Sequence, residues 1–178
     1  MSFSTISFLF AFFPAALILY YIMPRRVKPL ILLVLSIVFY AWGDMRNIAV
    51  LLFSILFNYL SGLEIGMWQE QGQEGRARAA VWTSSIANVA ILCFYKYFSD
   101  TLPLGISFFT FSALSYIIDI YKGRVGAERN FITAALYISF FPKVISGPII
   151  QYAEFRERLT EYQVTKEDVF AGAELFLI

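Results

Sequence analysis

Residues 102–123 read LPLGISFFTFSALSYIIDIYKG, an apolar stretch into which Ser112, Ser115, Tyr116 and Asp119 are set at i, i+3, i+4 and i+7. Those positions share one face of an α-helix, while Phe109, Ala113 and Ile117 lie round the other side. A charged group turned toward lipid is costly, about 2.5–3.5 kcal/mol for an aspartate at mid-helix. The stripe therefore has to face other helices or water. Interhelical hydrogen bonding, worth about 0.6–2 kcal/mol per bond, is one reading of it. A lining for a substrate path is the other. Ser107 and Thr110 form a smaller polar pair just before the stripe.

The rest of the chain has the same apolar cast. Of its 178 residues 59% are apolar and 15% charged, against about 45–50% and about 25% in a soluble domain. Charge-free blocks run over 1–24, 29–43, 47–63, 79–95, 101–118 and 130–142, the last resuming after Lys143 as 144–152. A hydrocarbon core about 30 Å thick takes roughly 20 helical residues, within a range of about 17–25. The first, third, fourth and fifth blocks meet this, and the second does so with Val27 and Lys28 or a thinned bilayer. Glu64 and Lys96 sit at block ends as interfacial anchors. The sixth block is broken by Pro142, Gly147 and Pro148 in FFPKVISGPII. Broken backbone at membrane depth survives only where protein or a cavity satisfies it, so this block reads as re-entrant or kinked. The expected fold is an all-α polytopic membrane protein with about five transmembrane helices plus that segment.

Loop charges orient it. MSFSTISF has no basic n-region, so the first block is not a cleaved signal peptide. The cluster Arg25, Arg26 and Lys28 follows it, which puts the N-terminus outside. Alternation then collects Arg76, Arg78, Lys122, Arg124 and Arg129 inside with that cluster, against Arg46 outside. The Gly- and Gln-rich stretch 69–79 reads as a cytoplasmic linker, and 153–168 as an amphipathic loop. Thr165 and Asp168 resemble a capping box before a helix from Lys166 that turns apolar at Val169. The apolar run stops at Ile178, so residues 1–178 are expected to be the N-terminal portion of a larger membrane domain.

Several chemistries are excluded. There is no histidine, which removes the commonest general base and metal ligand, so neither a Ser-His-Asp triad nor a histidine-containing zinc site is expected. The single cysteine, Cys93, lies in an apolar block and reads as a buried structural thiol. No basic run with interleaved aromatics suggests nucleic acid. Asp119 lies in the last helical turn, where the dipole disfavours an anion. Lys122, three residues on, is its expected partner in an interfacial pair, with a proton-transfer role as the alternative. Such a pair contributes about 0–1 kcal/mol, so Asp119→Asn is expected to keep much of the activity. Lys143, inside the broken block, either snorkels to water or holds an anionic or carbonyl-bearing ligand.

PLGISFFTFSALSYIIDIYKG followed by NFITAALYISFFPKVISGPIIQY resembles the bacterial branch of the membrane-bound O-acyltransferase (MBOAT) family, in its alginate O-acetylation type. FLFAFFP and SIVFYAWGD extend the resemblance over nearly the whole chain. It implies a helical ring around a tunnel, in a bacterial inner membrane. There an activated acyl group, from acetyl-CoA or another acyl carrier used as substrate, reaches hydroxyls of an extracellular polysaccharide such as alginate. No tightly bound cofactor or metal is implied, while periplasmic or membrane acetylation partners are. The family's essential histidine belongs to later helices, so no catalytic residue carries over. Tunnel-wall candidates do: Ser107, Thr110, Ser112, Ser115, Tyr116 and Asp119 from the first motif, and Pro142, Lys143, Gly147 and Pro148 from the second.

The residues alone also admit a transporter or channel fragment, or a non-catalytic membrane interaction subunit. No inverted repeat is visible, which counts against the first. The loop assignment is checked by a Gly75→Cys variant in a Cys93→Ser background. An impermeant thiol reagent added to intact cells is expected to leave it unlabelled, and labelling contradicts the orientation.

Overall fold

The computed structural model describes residues 8–24, 26–144, 147 and 150–161. The capping box at Thr165 and Asp168, the leader residues 1–7, Arg25 and Pro148 lie outside them. Among the described residues the chain is helical throughout, without strands. The α-helices are α1 (Phe13–Ile22), α2 (Lys28–Gly43), α3 (Ile48–Glu70), α4 (Glu74–Tyr97), α5 (Ile106–Tyr121), α6 (Phe131–Ser139), α7 (Phe141–Val144) and α8 (Tyr152–Glu161).

Length separates these helices. Only the segment Met45–Glu70, 26 residues including the turn before α3, and α4 with 24 residues are long and apolar enough to cross a membrane among the described residues. The other expected spans are shorter. The 101–118 block loses its start because Pro103 and Gly105 precede the helix, leaving α5 with 16 residues. At about 1.5 Å per residue that is roughly 24 Å, short of the core thickness. Pro29 opens α2 in its first turn, where the missing N–H costs nothing, whereas Pro14 of α1 follows a π-helical turn, Phe8–Phe12.

Two boundaries differ from the sequence reading. The 69–79 linker shrinks to 71–73, because its Gln, Glu, Arg and Ala residues are good helix formers and extend α3 and α4. The stretch from 153, expected as a loop, is helical to Glu161. Tyr152, Phe155 and Leu159 recur on one face and pack on the core, while Glu154 and Arg158 pair at 2.7 Å one turn apart.

α5 is the central element, packed by α3 and α4 and also by α6, α7 and α8. Phe109, Ala113 and Ile117 are consequently as buried as the polar stripe. A helix apolar on all but one stripe is what such a position takes. α4 lies at the opposite extreme, with Trp82, Ile86 and Phe94 exposed. Cys93 belongs to this outward surface, which overturns its reading as a buried thiol.

The loops segregate by end. Asp44 accepts the Asn47 N–H at 3.3 Å and the Leu104 N–H at 2.9 Å, joining the turn before α3 to the loop before α5. At the other end, the Gln69 amide donates to the Tyr121 carbonyl at 2.7 Å, and Arg129 approaches Glu70 at 3.7 Å. At the break between α6 and α7 another helix supplies a partner. The Phe141 N–H donates to the Ser36 hydroxyl of α2 at 3.1 Å, and that hydroxyl donates to the Leu32 carbonyl at 2.7 Å. Gly105 has φ +65, and a Cβ there would strike the Val144 carbonyl, so glycine lets α5 start against the end of α7.

α3 and α4 are joined by a buried reciprocal amide pair. Asn58 donates to the Asn88 side-chain oxygen at 3.1 Å, and Asn88 returns the bond at 2.7 Å. Each amide also donates to a carbonyl four residues back, Ser54 and Ser84, at 2.8 Å. A double-mutant cycle with Asn58→Ala and Asn88→Ala, read by thermal unfolding in detergent, is expected to give a coupling of about 0.6–1.7 kcal/mol. Additive effects contradict the pairing.

Candidate functional site

The polar stripe faces a buried cluster built from α5, α6, α8 and the segment 123–130. Its centre is aromatic. Tyr116, Tyr137 and Tyr152 are fully buried, with Tyr152 edge-on to Tyr116 at 4.8 Å and to Tyr137 at 5.0 Å between ring centroids. Gly62 of α3 makes room for Tyr116, since a Cβ there would lie 2.6 Å from its hydroxyl. The Tyr137 hydroxyl donates to the Ile150 carbonyl at 2.7 Å, and Ser115 faces that phenol from α5.

Two carboxylates flank the tyrosines. Asp119 is 2% exposed. It accepts from the Arg124 guanidinium at 3.1 Å through one oxygen and from the Ala153 N–H at 3.3 Å through the other. Arg124 donates onward to Gln151 at 2.9 Å. The expected Lys122 pair is therefore not formed. Lys122 is exposed, and the turn after α5, where Gly123 takes φ +66, brings Arg124 back to the carboxylate. Glu128 is the second carboxylate. It accepts from the Tyr152 hydroxyl at 2.8 Å and the Asn130 N–H at 3.0 Å, and pairs with Arg156 at 3.2 Å.

The remaining candidates take distinct positions. Ser112 and Thr110 are buried, and the Ser112 hydroxyl donates within its own helix to the Phe108 carbonyl at 2.7 Å. Ser107 and Ser115 are half-buried, and Pro142 is exposed. Lys143 is buried without reaching solvent. Its Nζ donates to the Tyr137 carbonyl at 2.6 Å and lies 3.5 Å from the Tyr137 ring centroid. A donor on the last carbonyls of a helix caps α6, so Lys143 does not snorkel to water among the described residues. Gly147 folds back on α7, where a Cβ would meet the Pro142 carbonyl at 2.7 Å. The structure thus brings Ser115, Tyr116 and Asp119 into one cluster, with Lys143 joined to it through Tyr137.

Chemically, the cluster offers hydroxyls and paired charges in an apolar surround. The Tyr116 hydroxyl is buried without a hydrogen-bond partner among the described residues. An orphan of that kind costs about 1–3 kcal/mol. Sequence reasoning missed Glu128, Arg124, Tyr137, Tyr152 and Arg156. Glu128 lies in a segment with no periodicity, and only the small residues Gly126 and Ala127 before it hint at close approach. Ala127 packs against Gly66 of α3. No group of metal-ligating side chains occurs among the described residues.

If Asp119 docks α8 through Arg124 and Ala153, Asp119→Asn is expected to lower stability by about 1.5–3 kcal/mol, the range for hydrogen bonds to a charged group. Lys122→Gln is expected to stay within about 0.5 kcal/mol, as at an ordinary surface position. Thermal unfolding in detergent reads both, and equal losses contradict this arrangement.

No protein-family model matches the chain, and no solved structure does. Curated relatives do. A probable alginate O-acetylase AlgI of Azotobacter vinelandii is 31% identical over 99% of this chain and 40% of its own length. Its counterpart in Pseudomonas fluorescens is 34% identical over 99% of this chain and 37% of its own length. A peptidoglycan O-acetyltransferase of Helicobacter pylori is 31% identical over 90% of this chain and 40% of its own length. The chain spans about two fifths of the length of these relatives. Two apolar helices of spanning length and this relationship together make it a membrane protein. Along nearly its whole length the chain is similar to proteins named as probable alginate O-acetylases, the type that its two late motifs resemble.

Proposed function

We propose that the chain is part of a membrane O-acyltransferase that carries an acyl group, acetyl in the first instance, across the membrane to hydroxyls of an extracellular polysaccharide such as alginate. The observation that carries this reading is homology over 99% of the chain to proteins named as alginate O-acetylases, with a peptidoglycan O-acetyltransferase beside them. The transporter and interaction-subunit readings have no such support.

Acyl transfer to an alcohol needs a base for the attacking hydroxyl and donors for the developing oxyanion. It also needs exclusion of water, which competes as acceptor. This chain has no histidine to act as the base. Its part is structural and electrostatic: a dry wall of tyrosines and serines along α5 and α6, stiffened by two paired carboxylates. In this proposal the chain is multi-pass in a bacterial inner membrane, with its N-terminus outside and the 71–73 turn in the cytoplasm. It contributes to a helical ring around a tunnel walled by Ser107, Thr110, Ser112, Ser115, Tyr116, Asp119, Pro142, Lys143, Gly147 and Pro148. The donor, acetyl-CoA or another acyl carrier, enters from the cytoplasm, and periplasmic or membrane partners complete delivery.

The test uses membranes containing the complete protein and isotopically labelled acyl donor. Labelled acetyl is expected on the polysaccharide with the complete protein and not with residues 1–178 expressed alone. Ser115→Leu, on the half-buried part of the stripe, is expected to reduce transfer at least tenfold while membrane abundance stays within twofold. If Ser115 is only packing, overfilling costs about 1–3 kcal/mol and abundance falls instead. Label transfer by residues 1–178 alone, or no transfer by the complete protein, contradicts the proposal.

A further inference from the structure

Between the second half of α3 and the first half of α4 lies an open cleft of about 350 Å³, lined by Phe57, Glu64, Trp68, Arg76, Ala79 and Ala80 among others. None of these six belongs to the stripe or to the tyrosine–carboxylate cluster. At the end near the 71–73 turn, the Trp68 indole N–H donates to Glu64 at 3.3 Å, and the Arg76 guanidinium lies over the same indole, 4.7 Å from its centroid. A carboxylate at the ring edge and a guanidinium over the ring face thus remain open to a ligand, since both side chains are exposed. Phe57, Ala79 and Ala80 give the rest of the cleft apolar surface, beside the hydroxyl side chains of Ser61, Thr83 and Ser84.

We propose that this cleft binds a phospholipid whose headgroup carries both a phosphate and a primary ammonium, as in phosphatidylethanolamine. Arg76 takes the phosphate in charge-assisted hydrogen bonds, and Glu64 takes the ammonium. Trp68 stands where a tryptophan is favoured, at the meeting of apolar span and headgroups, and one acyl chain runs along Phe57 and Ala80. A choline headgroup fails at Glu64 because its quaternary nitrogen has no N–H to donate. A glycerol headgroup brings no cation to that carboxylate. The site depends on membrane placement alone and not on acyl transfer.

The experiment is native mass spectrometry of the complete protein, released from nanodiscs holding equal phosphatidylethanolamine, phosphatidylcholine and phosphatidylglycerol. The ethanolamine lipid is expected to be retained about tenfold over either competitor, as a hydrogen bond to a charged group allows. Glu64→Gln is expected to abolish that preference, and Arg76→Gln to lower retention of the ethanolamine lipid. Both side chains are exposed, so abundance stays unchanged. Equal retention of the three lipids by the unaltered protein overturns the proposal. So does a preference that survives both substitutions, as when another part of the polypeptide fills the cleft.

Discussion

Asp119 is a carboxylate 2% exposed within an apolar bundle, and the arrangement around it follows from its need for partners. An unpaired charge in such surroundings is costly, and each hydrogen bond to a charged group contributes about 1.5–3 kcal/mol. The chain meets the need locally and at a distance. The turn after α5 returns Arg124 to one oxygen, and the first turn of α8 presents the Ala153 N–H to the other. The described part of α8 is thereby tied to the bundle. Glu128 repeats the device with Tyr152 and Arg156 of the same helix. α8 is held at two points by two buried carboxylates.

That docking places the aromatic cluster. Tyr152 enters with α8 and completes the group with Tyr116 and Tyr137. Lys143 fixes the end of α6 beneath the same rings, and the Ser36 hydroxyl satisfies the break before it. A wall of this kind suits the proposed reaction, in which water must be kept from an activated acyl group, because its polar atoms are nearly all engaged. The unpartnered Tyr116 hydroxyl is the exception within the stripe.

The helical class and the burial of the polar stripe were legible in the sequence, because lipid penalises exposed polar groups strongly and the spacing of Ser112 to Asp119 is unambiguous. The need to satisfy the backbone around Pro142 was legible too, although the partner, Ser36, lies 105 residues away and no local signal names it. Span lengths were overestimated because uncharged composition does not show where Pro103 and Gly105 hold back a helix. Asp119 was matched to Lys122 by helical spacing, yet the helix ends at Tyr121 and the turn at Gly123 selects Arg124 instead. Glu128 was invisible, since its burial comes from tertiary contacts with α8. Cys93 was misplaced because an apolar neighbourhood in sequence does not distinguish a core-facing residue from one on the outer face of α4.

The holding of α8 by the two carboxylates is open to direct measurement. Hydrogen exchange of the complete protein in nanodiscs, followed by mass spectrometry of peptides covering 152–161, measures this directly. Protected amides are expected in the first turn of α8. Asp119→Asn and Glu128→Gln are each expected to speed exchange there about tenfold or more, as loss of a hydrogen bond to a charged group implies, while amides of α3 stay unchanged. Exchange of α8 at the rate of a free peptide in the unaltered protein, or protection indifferent to both substitutions, contradicts it.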